Sequence, residues 1–314
     1  MLFEGRVAKG GEMDKDSFVT IVGAGLAGSE CARQLARRGV RVRLCEQRPL
    51  ATTEAHHTDG LAELVCSNSL KATRRDSAAG LLKAELELMG SELLACAREA
   101  SVPAGGALAV DRERFSALVG GRVAAEPNIE LVRGEVTEVP EGRVVIAAGP
   151  LCSDALAARI SELVGAGSLS FFDAAAPIVD AETIDRTVAF SQSRYEEAGA
   201  GDYLNCPMDK AEYEAFITEL VGARRVVTKD FEQRDLFCAC QPVEEVARTG
   251  LDAARYGAMK PVGLVDPRSS RRPWTVVQLR PENAAHTAYN LVGFQTNLTW
   301  PEQRRVFRMI PGLE

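Results

Sequence analysis

The stretch HHTDGLAELVCSNSLKA, His56 to Ala72, holds two of the chain's three histidines, a lone cysteine and a Ser-Asn-Ser turn. A partly exposed thiol near a basic or hydrogen-bonding group can be held as a thiolate and act as a nucleophile. The competing reading is a small apolar filler, because free cysteine is among the most buried residue types. Cys66 sits between these readings until its surroundings are known. His56 and His57 either position a substrate or form a solvated loop pair.

A second constellation is Gly23-Ala24-Gly25-Leu26-Ala27-Gly28, a G-x-G-x-x-G. The pattern alone is weak. Here it follows the β-rich run FVTIV and opens SECARQLARRG, a run of helical spacing closed by Gly39, which is the context a dinucleotide turn needs. Gly23 permits the tight turn, Gly25 lets a pyrophosphate approach the backbone, and Gly28 lets helix pack on strand. The helix start then offers free N–H groups and a partial positive charge to the phosphates. Glu46, at the end of the alternating run VRVRLCE, stands where an acid binds a ribose 2′-hydroxyl. An acid there favours FAD or NAD over NADP. The run VVIAAGP, Val144 to Pro150, has the form of a later strand returning to the same cofactor, which favours resident FAD.

Composition bounds these readings. The 314 residues carry 46% hydrophobic and 26% charged residues, enough for a packed core. The net charge of −7 means that a nucleic-acid partner needs a local basic patch. RSSRRP (Arg268, Arg271, Arg272) and EQRRVFR (Arg304, Arg305, Arg308) are two such clusters, to be weighed against ordinary solvated faces. No apolar run is long enough to span a bilayer. Eight cysteines without framework spacing point to a reducing cytoplasm. Cys238 and Cys240 form C-x-C, but no C-x-x-C pair exists and three histidines supply little for a metal.

Residues 1–17 read as a flexible leader, with Met13 as an alternative start. Residues 18–152 read as the first part of an FAD-binding domain. Within it, 50–77 is polar and loop-like, and AAGLLKAELELMGSELLACARE is one amphipathic helix with Leu82, Leu86, Met89, Leu93 and Cys96 on a stripe. VDRERFSALVGGRV is a shorter helix, and NIELVRGEVTEV and RVVIAAGP look like a strand pair. From about Ser153 the texture changes: the strands WTVVQL and TAYNLVGF alternate with helices such as KAEYEAFITELV. Residues 153–290 read as an inserted α+β module and 291–314 as a return to the first domain. The fold class is α/β, an FAD-binding Rossmann-like domain carrying this module. Cys31, Cys45, Cys96, Cys152 and Cys206 read as core.

Matching segments then run in order from about Val19 to Glu314: IVGAGLAGSE, AHHTDGLAELVCSNSLKA, VPAGGALAVDRERF, FFDAAAPIV, YLNCPM, MKPVGLVDP, VVQLR, YNLVGFQTNLTWPEQ and RVFRMIPGLE. In these the chain resembles the bacterial folate- and FAD-dependent tRNA (uracil-5-)-methyltransferases. The resemblance implies FAD, methylenetetrahydrofolate as one-carbon donor, NADH or NADPH as reductant, and the T loop of tRNA as substrate. It maps the family's two functional cysteines onto Cys66, in LVCSNS, and Cys240, in FCACQPVEE, and leaves their division of labour open. Uracil C5 is a poor nucleophile, so a thiolate adding at C6 and a second group taking the C5 proton suit such a reaction. Cys66, in its polar loop, now reads as functional. Cys238 is a substitute for Cys240, and LFCAC also fits a buried strand. The resemblance further implies that family members continue past IPGLE. The chain then reads as C-terminally truncated, its activity depending on a companion C-terminal segment. The alternatives are an inactive remnant with residual RNA binding, and an FAD oxidoreductase acting on a small molecule.

Overall fold

The computed structural model describes residues 18–53, 55–149, 151–165, 176–196, 201–226 and 241–314. The first half runs β1 (Val19–Val22), α1 (Leu26–Ala36), β2 (Val42–Glu46), β3 (Ser69–Ala72), α2 (Ala78–Leu88) and α3 (Glu92–Glu99). It continues through β4 (Ser101–Val102), β5 (Ala107–Val110), α4 (Arg112–Ala124), β6 (Ile129–Arg133), β7 (Arg143–Ile146) and α5 (Asp154–Val164). The second half holds β8 (Ile178–Asp180), β9 (Phe190–Ser191), β10 (Leu204–Met208), α6 (Lys210–Gly222), α7 (Val243–Arg248) and α8 (Ala253–Tyr256). It closes with β11 (Thr275–Pro281), β12 (Ala288–Leu291) and α9 (Trp300–Phe307).

Valine and isoleucine in β1 suit a strand covered on both faces, as parallel sheets require. The sheet is parallel throughout, in the order β6-β2-β1-β7. Val19 of β1 lies beside both Val42 of β2 and Arg143 of β7. Ile21 and Leu44 pack there with Phe115 and Val119 of α4 in the first core. β3, β5 and β4 make a small antiparallel sheet beside it. The second sheet is antiparallel, in the order β8-β12-β11-β10-β9, and its core gathers Phe216, Leu279, Leu291 and Phe294. Val306, Phe307, Ile310 and Leu313 also lie in this second core, so α9 and the turn after it pack on the module rather than on the first sheet.

Three sequence expectations change. The amphipathic helix breaks at Gly90, whose φ is +76°, and Ser91 starts α3 by accepting a hydrogen bond from the Leu94 N–H at 3.2 Å. The break lets α3 bury Leu94, Cys96 and Ala97 while Leu82 and Met89 face outward. β6 and β7 are not partners but lie at opposite edges of the sheet, because β1 and β2 occupy the middle. The polar stretch 50–77 contains β3, whose Ser69 pairs with Ala109 of β5. No helix among the described residues is long and apolar enough to cross a membrane.

Candidate functional site

The glycine turn leaves β1 at its carboxyl end, where open α/β sheets bind ligands. Gly23 has φ +97°, and a Cβ there would stand 2.5 Å from the Ala148 Cα. A Cβ on Gly28 would stand 1.8 Å from the Gly23 carbonyl oxygen. Both glycines are therefore demanded by the chain itself. Gly25 differs: a Cβ there meets nothing within 4 Å. It faces an open cleft at the carboxyl end of the sheet, lined also by Glu46, His56 and Ala148. Gly25 is also the N-cap of α1 and no side chain caps that helix end. Leu26 and Ala27 are exposed beside it, and Ala24 is buried. An uncapped helix start facing open space fits a pyrophosphate.

Glu46 borders the same cleft. Its Oε2 accepts from the Ala24 N–H at 3.0 Å, and its Oε1 accepts from the Arg48 N–H at 3.1 Å and Nε at 2.9 Å. Burial pushes the Glu46 carboxyl up, but the hydrogen bonds from Arg48 and Ala24 outweigh it and hold the pKa below its ordinary value. The acid thus ties the turn to β2, and an ionised carboxylate keeps acceptor capacity for a ribose. Ala147 N–H bonds the Val22 carbonyl at 2.8 Å, which brings Ala148 to the cleft wall as the VVIAAGP pattern implies. His56 lines the cleft, with Nδ1 2.6 Å from the Thr53 hydroxyl, whereas His57 is exposed. Cys45 and Cys152, read as core, line it as well.

Cys66 is exposed, one residue before a turn held from below. Asn68 is fully buried and donates to the carbonyls of Val110, at 3.1 Å, and Pro281, at 3.0 Å. Arg280 of β11, 5% exposed, donates from Nε to Asn68 Oδ1 and from Nη2 to the Ser67 hydroxyl, each at 2.9 Å. The turn is thereby fixed across more than two hundred residues of sequence. Arg112 reinforces it, bonding the Leu64 carbonyl at 2.9 Å and pairing with buried Glu282 at 2.9 Å. Burial pushes the Glu282 carboxyl up against the opposing pull of Arg112 and Arg280. Cys238 and Cys240 lie outside the described residues. The segment resumes at Gln241 and enters α7, where the buried Glu244 accepts from the Thr296 hydroxyl at 2.9 Å and the Asn297 N–H at 2.7 Å.

A family model described as Glucose inhibited division protein A matches residues 18–314. Among curated relatives, the methylenetetrahydrofolate--tRNA-(uracil-5-)-methyltransferase TrmFO of Geobacter sulfurreducens is 57% identical over 297 residues, which are 94% of this chain and 68% of that one. TrmFO of Symbiobacterium thermophilum is 56% identical, covering 94% of this chain and 67% of its own length. The chain belongs to the TrmFO family. It spans about two thirds of the length of these TrmFO relatives. The solved GidA of Aquifex aeolicus, in its form I crystal, superposes with a TM-score of 0.66 at 15% identity. That match covers 95% of this chain and 55% of GidA, and it shows a shared fold.

Two residues of this TrmFO chain escape sequence reasoning. Arg48, 2% exposed, is held between Glu46 and Glu63, the latter at 2.7 Å. The E-x-R spacing after β2 was the available signal, because a buried arginine needs acids within reach. Arg280 left no local signal, since its partners in the TrmFO fold are Ser67 and Asn68, far away in sequence.

Proposed function

We propose that this chain supplies the FAD cradle and both catalytic thiols of a folate-dependent tRNA uracil-5 methyltransferase. The exposed Cys66, on a turn pinned by buried Asn68 and Arg280, is the observation that carries the reading. Gly23, Ala24, Gly25, Leu26, Ala27, Gly28 and Glu46 hold the FAD: the α1 start takes its pyrophosphate and Glu46 its adenosine ribose. Bound FAD, reduced by NADH or NADPH, supplies the electron pair that turns the one-carbon unit of methylenetetrahydrofolate into a methyl group. Cys66 and Cys240 divide two tasks at a uridine of the T loop. One thiolate adds to C6 and makes C5 nucleophilic; the other takes the C5 proton and so lets C6 release its thiol.

The test uses a protein spanning the full length of the relatives, with the segment beyond residue 314 supplied in cis or as a companion chain. Cys66→Ala and Cys240→Ala should each abolish methylation of T-loop RNA while flavin absorbance stays at the wild-type level. Normal methylation by Cys240→Ala and none by Cys238→Ala would move the second role by two residues. Normal methylation by Cys66→Ala would remove Cys66 from the chemistry.

A further inference from the structure

Helix α9 buries Glu302, Val306 and Phe307 and turns Trp300 and Arg304 outward, with Arg308 just after its end. These three are spaced four apart, so they share one face of the helix. Trp300 is 72% exposed. Arg304 and Arg308 are exposed, and neither makes an ion pair among the described residues. Their neighbour Arg305 is different: Glu219 and Glu302 both hold it. In a chain with 44 acids to 37 lysines and arginines, two arginines left unpaired on one face are a local positive site. Together with Trp300 they rim an apolar hollow walled by Ile178, Leu291 and Phe307. Glu314 also borders it, but its Oε2 accepts from the Gly312 N–H at 3.0 Å.

An exposed indole beside unpaired arginines matches a single-stranded nucleic acid, whose bases stack on aromatic rings while its phosphates meet guanidinium groups. We propose that Trp300, Arg304 and Arg308 form a second RNA contact, in which Trp300 stacks an unpaired base and the arginines hold the flanking phosphates. The proposal rests on the reading that the substrate is tRNA. The contact is separate from the chemistry, because successive strand residues point to opposite faces. Asn290 of β12 reaches Arg280, which holds the Cys66 turn, whereas Leu291 lines the hollow. The surface therefore contributes affinity and not turnover.

The chain has two tryptophans, which makes the test direct. Trp274 is stacked against the Arg255 guanidinium at 3.9 Å and half-buried, so Trp300 should report alone. Unmodified tRNA transcript added to the 314-residue protein should quench tryptophan fluorescence in wild type and in Trp274→Phe but not in Trp300→Phe. Arg304→Ala/Arg308→Ala should weaken tRNA binding at least tenfold and lower the slope of log K against log salt by about 1.4, as for two contacts to single-stranded phosphates. Arg305→Ala should leave that slope unchanged. Wild-type tRNA binding with an unaltered slope in the double variant overturns the proposal and leaves the tRNA reading intact. No tRNA binding by wild type, by fluorescence or by filter retention, overturns the proposal, and the methylation test on the full-length protein decides the tRNA reading separately. Quenching of Trp300 by rising protein concentration without RNA overturns the proposal in favour of a second copy of the chain.

Discussion

Arg280 is the residue on which the Cys66 turn most depends. Its guanidinium donates to Ser67, Asn68 and Asn290, and removing it leaves these buried and part-buried acceptors without that donor. Arg280→Met should cost roughly 2–3 kcal/mol in urea unfolding, and it should change the rate at which iodoacetamide alkylates Cys66. Arg280→Lys keeps the charge but loses the planar fork, so it should fall between the two. An unchanged alkylation rate in Arg280→Met, with the fold intact, would show that the turn holds itself. Glu46 gives a prediction with a sign. Its folded pKa lies below the unfolded value of about 4.3. Its contribution to stability is thus complete above that value and is lost as pH falls through the folded pKa. The stability gap between wild type and Glu46→Gln should be steady near neutral pH and close as pH falls below about 4.

The strand-turn-helix element separates glycines that the fold needs from the one that a ligand needs. Gly28→Ala forces a methyl against the Gly23 carbonyl, and such overpacking costs about 1–3 kcal/mol. Gly25→Val places its Cβ in open space at an ordinary φ of −70°, so thermal stability without flavin should match wild type. Its branched carbons then stand where the pyrophosphate would approach, and flavin absorbance after purification should be lost. Wild-type flavin content in Gly25→Val would place the cofactor elsewhere. The same element shows why the acid after β2 matters twice: Glu46 fixes the Ala24 N–H as well as bordering the cleft.

Across the whole molecule, the five-stranded sheet meets the first half, around the small β3-β5-β4 sheet, through polar contacts. Arg280 and Pro281 reach Asn68, Arg112 pairs with Glu282, the Tyr203 hydroxyl donates to the Ala104 carbonyl at 3.0 Å, and the Gly105 N–H donates to Asp202 at 2.6 Å. The cores themselves are separate clusters. A seam of this kind couples two units less firmly than an apolar one. Combining Arg280→Met with Glu282→Gln should therefore split thermal unfolding, followed by calorimetry, into two transitions. A single transition at lower temperature would mean that the apolar contacts of the seam suffice.

Local pattern was enough for the parts of the protein whose physics is local. The β1-turn-α1-β2 unit, its three glycines and Glu46 follow from chirality, steric contact and strand periodicity within about thirty residues, and they stand where the sequence placed them. The helices over residues 112–124 and 210–222 and the strands at 275–281 and 288–291 follow in the same way. The order of segments was also enough for the family, because so many matches in sequence have no other cause. Pairing was a different matter. β6 and β7 look alike as runs, and only the whole sheet sends them to opposite edges. One apolar stripe spans residues 78–99, yet Gly90 and the Ser91 cap split it and give each half its own face. The exposure of Cys66 above an arginine 214 positions away in sequence was invisible for the same reason. A buried charge takes the partners that the packed chain brings to it, and no spacing along the sequence records which those are.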